Sequence, residues 1–281
     1  MTYRVIKNKN FQFTVSDGQN TFECMSRNKN KKDAVLCGDF AELALTEHGY
    51  VISSIKGRKN SLIRPAIANV DKVIIVISHS PSPDYALIDK LIINCFKQGM
   101  EVVLCVNKCD EALPDISCYK DAVDDVVFVS AKYGDVKELV DTIEGLCCFA
   151  GQSAVGKTSL INAITGRNEK VGDLSRIERG KNTTTSSEIF RVGNGYVADT
   201  PGFSLLDVFD IKAEELKNYY RDFKLRECYF GNCTHVGEPD CGVKDAVERG
   251  EIDKGRYLRY IDIYTKLKNQ QNKTFGGNDY E

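Results

Sequence analysis

No hydrophobic run in these 281 residues is longer than five, residues 73–77 among them. A membrane-crossing helix needs about 20 apolar residues in succession, so no membrane span and no membrane partner are expected. Met1 is followed by polar and basic residues rather than an apolar stretch, and no secretory leader is read there. There is no internal repeat, and no low-complexity tract beyond a polar C-terminal tail, which excludes a chain built from stacked repeats. Neither sign of charge dominates: the formal net charge is −2. Eleven cysteines are present. Without a leader they point to reduced thiols and a cytoplasmic location rather than a disulfide framework. Several, such as Cys105, Cys147 and Cys148, fall inside strand-like runs, where a thiol acts as a small hydrophobe.

The small net charge hides an uneven spread. Residues 1–64 hold eleven Lys and Arg against six Asp and Glu, leaving −7 on the remainder. A basic N-terminal part on an acidic body suits a polyanionic partner, although a solvated lysine-rich loop around residues 29–32 would give part of the same signal. Five short strand patterns, over 3–6, 10–15, 21–25, 40–45 and 50–55, fit an OB-type barrel among other small barrels. A basic link over 56–65 follows. From residue 71 the pattern changes to alternating strands and helices: strands at 73–78, 101–106, 126–130 and 196–198, and helices at 84–98 and 136–143. Such alternation builds a parallel sheet with helices on both faces. Three parts are expected: a barrel over 1–66, an α/β domain over 67–208, and a C-terminal domain over 209–281.

The middle of the chain carries Gly151, Gln152, Ser153, Ala154, Val155, Gly156, Lys157, Thr158 and Ser159, which fit G-x-x-x-x-G-K-[ST]. The apolar run 146–150 before it reads as a strand, and 160–164 after it as a helix that stops near Gly166. In that context the backbone N–H groups and a helix N-terminus cradle a triphosphate. Lys157 is expected to reach the β- and γ-phosphates as the catalytic cation, and Thr158 to ligate Mg²⁺.

Strand 101–106 ends in Asn107, Lys108, Cys109 and Asp110. Ligands of open α/β sheets lie at the carboxyl ends of strands. An aspartate there accepts two hydrogen bonds from the N1–H and N2–H₂ edge of guanine, which adenine cannot offer. Ser130, Ala131 and Lys132, at another strand end, suit a loop whose backbone N–H meets guanine O6. Asp199, Thr200, Pro201 and Gly202 supply an acidic residue for Mg²⁺ through water and a glycine N–H for the γ-phosphate. Thr184, in the polar tract 179–185, is aligned to complete the Mg²⁺ shell. Phe203 stands where many GTPases carry a water-orienting glutamine, so slow intrinsic hydrolysis is expected.

The base-reading tracts precede the phosphate loop, the reverse of ordinary small GTPases. A chain reopened at a surface loop keeps the same packed core, so the fold expected is a circularly permuted P-loop GTPase. At the C-terminal end Cys228, Cys233, His235 and Cys241 place four ligands within fourteen residues. A full tetrahedral set suits structural Zn²⁺. Two helices follow, over 243–249 and 252–268. The second is expected to bury Leu258, Ile261, Tyr264 and Leu267. Its basic residues Lys254, Arg256, Arg259 and Lys266 are left either for RNA phosphate or for solvent.

These tracts, in this order, resemble the ribosome small-subunit-dependent GTPases, a circularly permuted family, over essentially the whole chain. The resemblance implies an N-terminal OB domain, a GTP- and Mg²⁺-using centre that hydrolyses GTP to GDP, and a C-terminal domain with one structural zinc. It further implies stimulation by the small (30S) subunit, binding to 16S rRNA near the decoding region, and a monomer acting late in subunit maturation. The chain departs from the family in two places: Ala154 stands where glycine is usual, and Asn182 where histidine is usual.

Overall fold

The computed structural model describes residues 2–9, 12–26, 34–62, 66–167, 188–199, 211–224 and 226–275. The lysine-rich loop at 29–32, the Arg64–Pro65 end of the link, Asn182, Thr184, Gly202 and Phe203 therefore lie outside the described residues.

β1 (Tyr3–Lys9), β2 (Gln12–Ser16), β3 (Thr21–Ser26), β4 (Phe40–Thr46) and β5 (Gly49–Ile55) pair in the order β1-β2-β3-β5-β4, and β4 returns to β1. The β3–β5 pairing is parallel and the others antiparallel, which closes the OB-type barrel expected from the strand pattern. Val5, Phe13, Val15, Cys24, Ala41 and Ile52 fill it.

The link is stapled by its own polar side chains. Arg58 grips the fully buried Asp39 with two guanidinium nitrogens at 2.7 and 2.8 Å. The Asn60 side chain both accepts from the Val70 N–H and donates to the Val70 carbonyl, each at 2.8 Å. A minor ribbon of β6 (Ser61–Leu62) and β7 (Ile67–Ala68) then leads into the α/β domain.

That domain is a six-strand sheet. It comprises β8 (Lys72–Ile77), β9 (Glu101–Val106), β10 (Asp125–Phe128), β11 (Leu146–Ala150), β12 (Glu188–Val192) and β13 (Gly195–Asp199), in the order β10-β9-β8-β11-β13-β12. Every residue of β8 and β11 is buried, and apart from Lys72 their runs are apolar, as central parallel strands require. The expected all-parallel sheet is modified at one edge: β12, which its mixed polarity concealed, runs antiparallel to β13 and pairs with β1 of the barrel through Lys7 and Glu188. One eleven-strand sheet thus runs through both parts.

Helix α1 (Tyr85–Lys97) starts where Asp84 accepts the Leu87 N–H, a side-chain cap. Sequence periodicity gave it one apolar face, yet it buries two. Ile88, Leu91, Ile92 and Cys95 pack on the sheet, whereas Ile93 joins the C-terminal core. Among the described residues, the domain's other α-helices are α2 (Lys137–Asp141) and α3 (Lys157–Thr165). The C-terminal part holds α4 (Gly242–Glu248) and α5 (Lys254–Phe275).

The buried stripe of α5 differs from the expected one. Tyr257, Tyr260, Ile263 and Leu267 are inside, while Leu258 is 54% exposed. The reason lies in Arg256. Its guanidinium, 1% exposed, reaches Asp89 of α1 at 2.5 Å and Asp222 at 2.9 Å, and Arg259 reaches the other oxygen of Asp89. Arg256 is therefore not offered to RNA or to solvent; it anchors the C-terminal part to α1. No helix among the described residues is long and apolar enough to cross a membrane.

Candidate nucleotide site and metal centre

β11 delivers the chain at Gly151, and α3 takes it away at Lys157. Two glycines make the loop between them possible. Gly151 has φ 128°, and a Cβ there would lie 2.3 Å from the Val76 carbonyl oxygen; Gly156 has φ 95°, and its Cβ would lie 2.3 Å from Asn107 Nδ2. Ala154, where the resemblance leads one to expect glycine, also has a left-handed φ of 66°. Glycine is free in that region, whereas a methyl costs about 1 kcal/mol, so the chain accepts a modest strain here.

The Lys157 ammonium is folded back on the loop, donating to the carbonyls of Gly151 and Gln152 at 2.7 and 2.6 Å. Burial lowers its pKa to about 8. Thr158 and Ser159 are half-buried in the first turn of α3, and Ser153 is exposed at the loop tip. The Gln152 amide donates to the Ser82 carbonyl and accepts from the Asp84 N–H, tying the loop to the start of α1.

Asn107 joins the 151–156 loop to the loop that begins at Ser130. Buried at the end of β9, it donates through Nδ2 to the Val155 carbonyl at 2.9 Å and accepts the Ala131 N–H on Oδ1 at 3.1 Å. Lys108, itself at φ 63°, donates to the Ala154 carbonyl at 3.1 Å. Ser130 Oγ donates to Asp110 at 2.6 Å, and Lys132 stands 3.6 Å from the other carboxylate oxygen. The Ser130 hydrogen bond, then Lys132, hold that carboxyl below the usual range. It is therefore an ionised acceptor, the form that guanine's donor edge requires. A cavity of about 580 Å³ is bordered by Asn107, Asp110, Ala131 and Lys132 on one side and by Gly156 and Ser159 on the other. That volume lies within the ordinary range for small-molecule sites.

Asp199 ends β13. Its carboxylate is 3.7 Å from Arg167, a residue that motif reading passed over because it belongs to no nucleotide-binding pattern. Thr184 and Gly202, expected beside it, fall outside the described residues.

Cys228, Cys233, His235 and Cys241 converge, with all ligand atoms within 4.8 Å of one another. His235 Nδ1 lies 3.5 Å from Cys228 Sγ and 3.4 Å from Cys241 Sγ, and those two sulfurs are 3.9 Å apart. A tetrahedron with Zn–S bonds of about 2.3 Å has S–S edges near 3.8 Å, so the residues fit zinc. Burial lowers the pKa of His235, which keeps the imidazole in its neutral, ligating form. Glu238 braces the turn: burial would raise its pKa, but hydrogen bonds from the Thr234 N–H and hydroxyl and the Val236 N–H bring it down to about 2. Tyr257 and Tyr260 of α5 donate to the carbonyls of His235 and Thr234, fastening the knuckle to the helix.

The family model described as RsgA GTPase matches residues 55–209. A protein named small ribosomal subunit biogenesis GTPase RsgA from Caldanaerobacter subterraneus subsp. tengcongensis is 39% identical over 280 residues, 94% of each chain. One of the same name from Ruminiclostridium cellulolyticum is 39% identical over 267 residues, 89% of this chain and 88% of that one. Among solved structures, YjeQ from Thermotoga maritima superposes with a TM-score of 0.80 at 34% identity, covering 95% of this chain and 98% of that one. YloQ, described as a circularly permuted GTPase, does so with a TM-score of 0.78 at 30% identity, covering 96% and 95%. With N-K-x-D ahead of the phosphate loop and relatives aligned over about nine-tenths of its length, the chain belongs to the RsgA GTPase family.

Proposed function

We propose that the chain hydrolyses GTP to GDP and phosphate in the biogenesis of the small ribosomal subunit, and that the subunit itself stimulates the reaction. The observation that carries this is the convergence on one cavity of the phosphate loop and an ionised Asp110, held together by Asn107. The relatives named for this process align over about nine-tenths of the chain.

In this reading Asp110 accepts the guanine N1–H and N2–H₂ groups, and the 130–132 loop faces O6. The backbone of 151–159 and Lys157 hold the phosphates; Lys157 leaves the loop carbonyls for phosphate oxygens as the ligand enters. Thr158, Thr184 and Asp199 would hold Mg²⁺, which supplies neutralisation of phosphate charge. The Gly202 N–H would serve the γ-phosphate. No water-orienting side chain takes the place of glutamine at Phe203, so the chain alone turns over slowly and the subunit completes the site. The basic barrel (1–66) binds 16S rRNA, beside the GTPase domain (67–208) and the zinc-binding C-terminal part (209–281). The protein works in the cytoplasm as a monomer carrying one structural Zn²⁺.

GTP turnover is measured with and without purified small subunits, alongside zinc content. Strong stimulation and one zinc per chain are expected. Equal turnover in both conditions refutes the dependence on the subunit, and a zinc-free but fully folded chain refutes the structural metal.

A further inference from the structure

Two carboxylates stand opposite each other where β12 meets β13, since Glu188 and Asp199 are register partners. Like charges placed across neighbouring strands repel. With side chains 29% and 20% exposed, neither is fully screened by water. Among the described residues, Lys7 and Arg167 answer them. Lys7 of the barrel reaches Glu188 at 2.9 Å. Arg167, one residue past the left-handed Gly166 that stops α3, spans both acids: Nη2 is 3.7 Å from Glu188 and Nη1 is 3.7 Å from Asp199. Its guanidinium lies over the Phe190 ring, 4.2 Å from the centroid. Arg167 also borders the nucleotide cavity.

We propose that Arg167 is a positioning residue for the metal-bound nucleotide: it holds the Asp199 carboxylate in the nucleotide-free protein, and a hydrated Mg²⁺ must displace it to bind there. This rests on the reading of Asp199 as the acid that faces the metal. The guanidinium and the metal compete for the same carboxylate, so the ion pair raises the Mg²⁺ concentration at which nucleotide binding tightens. Once displaced, the guanidinium keeps Glu188 and the face of Phe190. It therefore stays at the cavity rim and returns to Asp199 when the metal leaves. Arg167 thus acts through Asp199, and its signature is a shift in metal dependence.

The test is GDP affinity by titration calorimetry, from chelator through a series of MgCl₂ concentrations, for the parent chain, Arg167→Gln and Asp199→Asn. Arg167→Met, which keeps a long side chain over Phe190, is run as a second charge-removing variant, and thermal unfolding checks that each is folded. Both Arg167 variants should lower the Mg²⁺ midpoint about threefold, the scale of a partly exposed ion pair. Asp199→Asn should flatten the Mg²⁺ dependence. An unmoved or raised midpoint in the Arg167 variants, with the dependence flattened in Asp199→Asn, overturns the role of Arg167 and leaves the reading of Asp199 standing. A normal Mg²⁺ dependence in Asp199→Asn removes the reading of Asp199 and this inference with it.

Discussion

Replacing Asn107 with alanine should take apart the joint on which the nucleotide site depends. The side chain is 2% exposed and spends both ends of its amide on main-chain groups, the Val155 carbonyl of the phosphate loop and the Ala131 N–H of the base-reading loop. Alanine leaves both without a partner. An unsatisfied buried polar group costs about 1–3 kcal/mol. Val155 is fully buried, whereas half-buried Ala131 recovers part of its bond from water. The sum is about 2–4 kcal/mol, spread between global stability and the ordering of the two loops. Urea unfolding reads the first share. GDP affinity reads the second, where each factor of ten is about 1.4 kcal/mol. Gly156→Ala approaches the same joint from the other side, because its methyl would meet Asn107 Nδ2 at 2.3 Å. That substitution should cost less in an Asn107→Ala background than alone, the remaining cost being the strain of φ 95°. Should Asn107→Ala stay within about 0.5 kcal/mol of the parent and bind GDP within about twofold, the two loops are held by something else and the argument fails.

Three further outcomes follow from other parts of the molecule. The Lys157 pKa is lowered by burial to about 8 from 10.5, so the unfolded chain binds the extra proton and stability should rise as pH climbs between those values. Phosphate brings the proton back. GDP binding near pH 8 should therefore take up a fraction of a proton, measured by calorimetry in buffers of different ionisation enthalpy, and the uptake should vanish in Lys157→Met. Arg256→Ala leaves the fully buried Asp89 with Arg259 as its remaining cation, and a loss of about 3 kcal/mol in urea unfolding is expected; a change below about 1 kcal/mol refutes the anchoring role. Asp110→Asn replaces one acceptor of the guanine edge with a donor and should move base preference toward xanthine, checked by competition between GTP and XTP.

Much of this protein is local and so could be read along the chain. The phosphate loop needs its glycines within a few residues of one another, because Gly151 and Gly156 each meet backbone or amide atoms at a distance no Cβ tolerates. The five barrel strands, the buried runs of β8 and β11, the Asp84 cap and the Cys–Cys–His–Cys spacing likewise depend on neighbours in sequence. The reversed order of the motifs shows in the sequence for the same reason, since each motif is short and self-contained.

What the sequence left open was which surfaces meet. Periodicity marks a face of α1 or α5 as buried but carries no information about the partner. Arg256 reads as a base left for RNA phosphate or for solvent until Asp89, 167 residues away, is placed against it. Asn107 reads as a base contact, and only the folded sheet makes it the fastening between loops 24 and 48 residues distant. Glu188 and Asp199 become opposed charges, with Arg167 between them, only when β12 and β13 pair in register. Short-range geometry is written in residue type and spacing. Long-range pairing is decided by which apolar faces the whole chain can bury at once, and that is settled in three dimensions.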